Sequence, residues 1–124
     1  MSSEIDANLA DLIISLQTWC EKTARMASGK TFEEFQNDET LQLALSMAVA
    51  QIGEVSGRIL RKWPDFAAQR QSLELGNAAA MRNRLIHVYD QIELPILWDT
   101  VATSIPEMLS LVLSILRERG AVEP

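Results

Sequence analysis

Apolar residues recur three and four positions apart along almost the whole chain, and nowhere do they alternate convincingly as a strand would. That pattern restricts the fold to helices packed on one another, because each must bury its apolar stripe. The first stripe, Ile5, Leu9, Leu12, Ile13, Leu16, Trp19 and Cys20, predicts a helix from about Glu4 to Ala27, with Gly29 as its stop. Thr31-Phe32-Glu33-Glu34 reads as a capping box that opens one short helical turn. Asn37-Asp38 can cap a long helix from about Glu39 to Trp63, ended by Pro64. A polar, irregular stretch runs from Pro64 to Gln71, and a further helix covers about Leu73 to Ile92. Pro95 precedes a shorter helix carrying Ile96, Leu97, Trp98 and Val101. Ser104-Ile105-Pro106-Glu107 has the form of another N-terminal cap, for a last helix that carries Met108, Val112, Ile115 and Leu116 and closes at Gly120.

Four sizeable amphipathic helices with short connections predict an all-α protein: an antiparallel four-helix bundle with one or two additional short helices. The chain of 124 residues fits a single domain, residues 1–124, with one hydrophobic core. Within the long second helix, Gly53 and Gly57 lie four apart, on one face. Each costs about 1 kcal/mol of helix propensity relative to alanine, so close approach by another backbone is the expected compensation.

Composition narrows the function classes. No apolar run is read as reaching the roughly 18 residues of a bilayer span, since the best, around Met108–Leu116, is broken by serines. The N-terminal Met1-Ser2-Ser3-Glu4-Ile5-Asp6 is acidic and lacks the basic region of a secretory signal, so the cytoplasm is the expected compartment and no membrane is expected. The single cysteine, Cys20, can form no internal disulfide and is expected to be a buried, inert thiol. A net charge of −6 argues against non-specific coating of nucleic acid. The stretch from Arg58 to Arg84 is nonetheless basic, with Arg58, Arg61, Lys62, Arg70, Arg82 and Arg84 against Asp65 and Glu74. It reads either as a solvated face or as a surface for RNA, with Arg58, Arg61, Lys62 and Arg84 the candidate contacts.

Chemistry concentrates on the third long helix. At 100° per residue, Ala78, Met81, Leu85, Val88 and Ile92 fall in one arc and form the predicted core face. Asn83 and His87 project from nearly the opposite side, and Arg82 and Tyr89, seven apart, line up on a flank. His87, the only histidine, is thus either a plain surface residue or a functional one. Arg82 and His87 lie about 140° apart, so one regular helix does not converge them on a small ligand. Either the helix distorts, or two copies meet and build the site between them across a twofold axis. Histidine is suited to acid–base chemistry near neutrality, arginine to a phosphate gaining charge, and asparagine to orienting either. No metal-ligand constellation is visible and no cofactor is expected. These groups suit metal-free cleavage of a phosphodiester by the adjacent 2′-hydroxyl, which restricts the substrate to RNA.

The run Arg82-Asn83-Arg84-Leu85-Ile86-His87-Val88-Tyr89 resembles the signature of the HEPN superfamily, and more narrowly of its HepT-type toxin branch. Thr31-Phe32-Glu33-Glu34-Phe35 with Asp38, Ile52-Gly53-Glu54, Trp98 and Pro106 are similar to flanking family positions, so the resemblance covers about Thr31 to Leu111. Val88 departs from the glycine common between the histidine and tyrosine, and Pro64–Gln71 lacks a tryptophan often found there. The resemblance implies a metal-independent ribonuclease toxin that works as a homodimer and is paired with a minimal nucleotidyltransferase antitoxin. It further implies catalytic roles for Arg82, Asn83 and His87, and silencing by AMP transfer onto Tyr89. The alternative reading is a non-catalytic subunit that binds a nucleotide and serves such a nucleotidyltransferase. Glu54 could reach the cleft, although the exposed side of its helix is the plainer expectation.

Overall fold

The computed structural model describes residues 5–118, and these are helical nearly throughout, as the periodicity requires. Helix α1 spans Ala7–Ala27, capped by Asp6, whose carboxylate accepts the Leu9 N–H at 2.8 Å. It therefore starts three residues after the expected Glu4. Helix α2, Phe32–Gln36, opens with the expected capping box: Thr31 and Glu34 each accept the other's backbone N–H. Helix α3, Glu39–Lys62, is capped by Asp38 and stops before Pro64.

The stretch expected to be irregular is a short helix, α4, Pro64–Gln69, with proline at its start and Phe66 buried. Phe66 supplies the reason: its ring fills the core, and the Arg70 guanidinium covers it at 4.7 Å. A single 3₁₀ turn, Gln71–Leu73, leads through Glu74 in the left-handed region (φ 54) into α5, Leu75–His87. Helix α6 covers Leu94–Asp99 and α7 covers Ile105–Glu118.

Ser104 does not cap a new helix. The segment Thr100–Ser104 is π-helical, with the Ile105 N–H bonded to the Thr100 carbonyl, so α6 and α7 form one continuous helix, Leu94–Glu118. Pro106 accounts for the widening, because a proline ring clashes with the carbonyl four residues earlier and a wider turn moves that carbonyl away. The closing residue Gly120 lies outside the described residues. Two helices, Glu39–Lys62 and Leu94–Glu118, do have the length and mean hydropathy (1.2 and 1.3) of a span, contrary to the reading of the sequence. A core helix passes the same test, and α3 lies at the centre of this bundle.

Helices α1, α3, α5 and the α6–α7 rod make the four-helix bundle, α3 packing against both α1 and α5, and α1 against α7. The larger core joins α1, α3, α4 and α7, with Leu9, Ile13, Leu16, Ile52, Ile59 and Leu116 wholly or almost wholly buried. A second core sits where α2, α3, α5 and α6 meet, around Phe35, Leu45, Val49, Leu85, Leu97 and Val101. The Trp98 ring lies 5.0 Å from that of Phe35 and closes it. This second core holds α5, and with it the signature, in place.

Candidate active site

Helix α5 meets α3 at a glycine. A Cβ built on Gly53 would fall 2.5 Å from the Ala78 carbonyl oxygen and still closer to the Arg82 Cβ, so the two backbones touch there. The close approach inferred from Gly53 is therefore present, and Ala79 faces Gly57 one turn on. Because Arg82 leaves α5 at this contact, its side chain runs directly over Glu54, the residue after the glycine. Arg82 Nε forms an ion pair with Glu54 Oε1 at 3.2 Å, and Glu54 Oε2 accepts a hydrogen bond from Arg58 Nε at 3.3 Å. Arg82 Nη1 also reaches Asn83 Oδ1 at 3.4 Å. Glu54 thus pairs with the arginine of the candidate site, its side chain only partly exposed. The signal for this was in the sequence: a helical glycine marks where the neighbouring helix enters, and Glu54 adjoins it.

The helix carrying the signature ends sooner than its periodicity suggests. His87 is the last residue of α5, Val88 (φ −139, ψ 41) ends it, and Tyr89–Gln91 form a 3₁₀ turn. Turning here lets Ile92 and Leu94 reach the second core. Val88, expected on the core face, is exposed at 41%, while Leu85 is buried and Ala78 and Met81 are half-buried as expected. Tyr89 does not continue the register of Arg82, and its side chain lies outside the described residues.

His87 and Asn83 are exposed, and the His87 imidazole has no hydrogen-bond partner among the described residues. Five residues of regular helix separate Arg82 from His87, roughly 7.5 Å along the axis and 140° around it. One chain alone therefore leaves them apart. Of the basic residues considered for RNA, the structure brings Arg58 to Arg82. Arg61 and Lys62 are exposed in the last turn of α3, and Arg84 is exposed some 200° around α5 from Arg82.

Beside Arg82 and Glu54 opens a shallow groove between α3 and α5, lined by Leu43, Ser46, Met47, Ala50, Leu85 and Ile86. Leu43 is 53% exposed, Met47 58% and Ile86 50%, which makes an apolar strip ending at the arginine. Sequence reading passed over this strip. Leu43 and Met47 sit one turn apart, off the buried Leu45–Val49–Ile52 stripe, and that second apolar line was the available clue. Among the described residues, no three His, Cys, Asp or Glu side chains gather as metal ligands would.

A helical bundle that presents arginine, asparagine and histidine from one helix, with a glycine-seated ion pair behind the arginine, has the groups needed for phosphodiester chemistry. Comparison with known proteins places it more closely: the family model described as "Ribonuclease HepT-like" matches residues 16–115, and the chain belongs to that ribonuclease family. A protein of Caldanaerobacter subterraneus subsp. tengcongensis with a provisional RNase name is 29% identical over 99 residues, covering 80% of this chain and 86% of the relative. One of Thermococcus cleftensis, provisionally named ribonuclease HepT, is 35% identical over 77 residues, covering 62% of this chain and 67% of the relative. A provisionally named RNase of Methanocaldococcus jannaschii is 27% identical over 116 residues, 93% of this chain and 89% of its own. No solved structure gives a significant match.

Proposed function

We propose that this ribonuclease cuts RNA without a metal ion, in a cleft formed by two copies of the chain, and acts as the toxin of a toxin–antitoxin pair. The observation that carries the shared cleft is the exposed strip of Leu43, Met47 and Ile86, which ends at Arg82 on the helix that also carries His87. Large apolar side chains standing together in water favour a surface that covers them, and a second copy of the same strip does so symmetrically. Such pairing sets Arg82 and His87 of one copy beside those of the other, removing the separation that a single helix imposes.

In that cleft one His87 imidazole takes the proton of the RNA 2′-hydroxyl as its oxygen attacks the adjacent phosphorus. Arg82 donates to the phosphate oxygens, which gain charge in the transition state. The imidazole of the second copy protonates the departing 5′-oxygen, leaving a 2′,3′-cyclic phosphate and a free 5′-hydroxyl. Asn83, in contact with Arg82, holds the guanidinium or bonds the substrate. The partner is a minimal nucleotidyltransferase antitoxin, which silences the enzyme by transferring AMP to Tyr89. A nucleotide there adds negative charge and bulk close to the signature, opposing RNA by repulsion and obstruction.

The test is incubation of purified protein with RNA in excess chelator, beside His87→Ala. Cleavage by the native protein alone, with cyclic phosphate ends, supports the proposal. Failure of both to cleave, with nucleotide binding retained, favours the non-catalytic subunit of a nucleotidyltransferase. After co-expression with the antitoxin, an intact mass raised by whole AMP units, and lost in Tyr89→Phe, tests the regulation.

A further inference from the structure

We propose that Glu54 is a positioning residue that sets Arg58 and Arg82 together as a two-guanidinium clamp for one phosphate of the RNA strand. This rests on the ribonuclease reading above and deepens its site. The Glu54 carboxylate spends one oxygen on each arginine, Oε1 on Arg82 at 3.2 Å and Oε2 on Arg58 at 3.3 Å. Both arginines face the carboxylate through Nε, Arg58 in a hydrogen bond and Arg82 in an ion pair. Their terminal Nη groups therefore remain for other acceptors, apart from one long contact of Arg82 Nη1 to Asn83 at 3.4 Å. Those Nη groups form the planar fork that grips phosphate oxygens in pairs.

Two guanidinia placed close together repel each other. One carboxylate between them cancels one charge, and the group keeps a net +1 for a phosphodiester carrying −1. The placement is also rigid. Glu54 and Arg58 stand one turn apart on α3, and Arg82 leaves α5 at the backbone contact with Gly53, so neither helix can slide without breaking that seat. The Arg58 side chain is 56% exposed and that of Glu54 33%, which leaves the carboxylate the deeper of the two. An exposed ion pair of this spacing stabilises a helix only weakly, so fold stability alone gives little reason for a bridge joining two helices.

The experiment measures binding of a 2′-O-methyl oligoribonucleotide, which lacks the attacking hydroxyl, by fluorescence anisotropy at several salt concentrations. Cleavage of the matching unmodified RNA is followed in parallel. Arg58→Ala weakens binding about tenfold and makes the salt dependence shallower by about 0.7 in log–log slope. Arg58→Lys restores the slope but not the full affinity, because it keeps the charge and loses the fork. Glu54→Gln leaves binding equal or tighter while kcat falls roughly tenfold or more, through misplacement of Arg82. In an Arg82→Ala background the same Glu54 change leaves kcat where it was. Native affinity and salt slope in Arg58→Ala, or an equal kcat loss from Glu54→Gln with and without Arg82, overturns the clamp. Should the wild-type chain cleave no RNA, the catalytic reading falls, while the anisotropy and its salt slope still decide the clamp.

Discussion

Replacing Gly53 with alanine adds one methyl group where α3 and α5 touch, and two opposing effects fix the outcome. Alanine is the better helix former by about 1 kcal/mol, and with no neighbour present the change would stabilise the protein. The neighbour is backbone. The added Cβ lies 2.5 Å from the Ala78 carbonyl oxygen and still closer to the Arg82 Cβ, while ordinary contact begins at 3.4 Å, so α5 must retreat by about 1 Å. Overpacking of this kind costs about 1–3 kcal/mol, and here the obstacle is not a flexible side-chain tip that can swing aside. A rigid obstacle puts the cost at the upper end of that range, about 2–3 kcal/mol, so less the helix gain the net expectation is a loss of about 1–2 kcal/mol, seen as a fall in Tm of roughly 4–8 °C in thermal unfolding followed by circular dichroism. RNA cleavage should fall further than stability, because the same shift moves Arg82 away from Glu54. Gly57→Ala is the internal control: its Cβ would meet the Arg61 Nη1 tip at 3.2 Å and Ala79 at 3.8 Å. A flexible arginine can move, so this variant should gain up to about 1 kcal/mol. A Gly53→Ala protein as stable as Gly57→Ala would refute the argument that backbone contact seats the arginine.

Three further outcomes follow from separate features. The Ser56 hydroxyl is fully buried with no hydrogen-bond partner among the described residues, so Ser56→Ala should stabilise the fold by about 1 kcal/mol, read from the denaturant midpoint. Burial, aided by the charge of Glu21, pushes the Cys20 thiol up from 9.0 to about 12. The thiolate is therefore withheld at pH 8, and a colorimetric thiol reagent should react only after denaturant is added. A double Leu43→Asp, Met47→Asp variant should keep its helical spectrum but run at half the native solution mass and lose RNA cleavage, since carboxylates on the strip oppose pairing.

How much of this was legible in the sequence differs from element to element, for physical reasons. Helices α1 to α3 followed from local signals, namely stripes, side-chain caps and stop residues, which need no knowledge of the partner surface. The end of α5 did not, because the periodicity of Val88 and Ile92 continues past His87 while the chain turns to feed Ile92 and Leu94 into the second core. Phe66 shows the same limit: a short helix held by one buried ring has too few turns to display a period. Ser104-Ile105-Pro106-Glu107 misled because a proline after a serine suits a helix start, whereas here a π-helical turn carries the proline through an unbroken rod. At the site, the residue types of the signature were readable, and so was the meaning of Gly53. The Glu54–Arg58 half of the bridge is an i,i+4 pair on one helix, but the Arg82 half joins two helices, and spacing along one helix cannot reveal it.

In the proposed dimer the cleaving site exists only where two copies meet. The most direct test is the rate of RNA cleavage per chain, in excess chelator, as wild-type protein is diluted through its monomer–dimer transition. A shared cleft requires a rate that falls in step with the dimer fraction and vanishes with it. A monomer that cleaves as fast per chain as the dimer would contradict it.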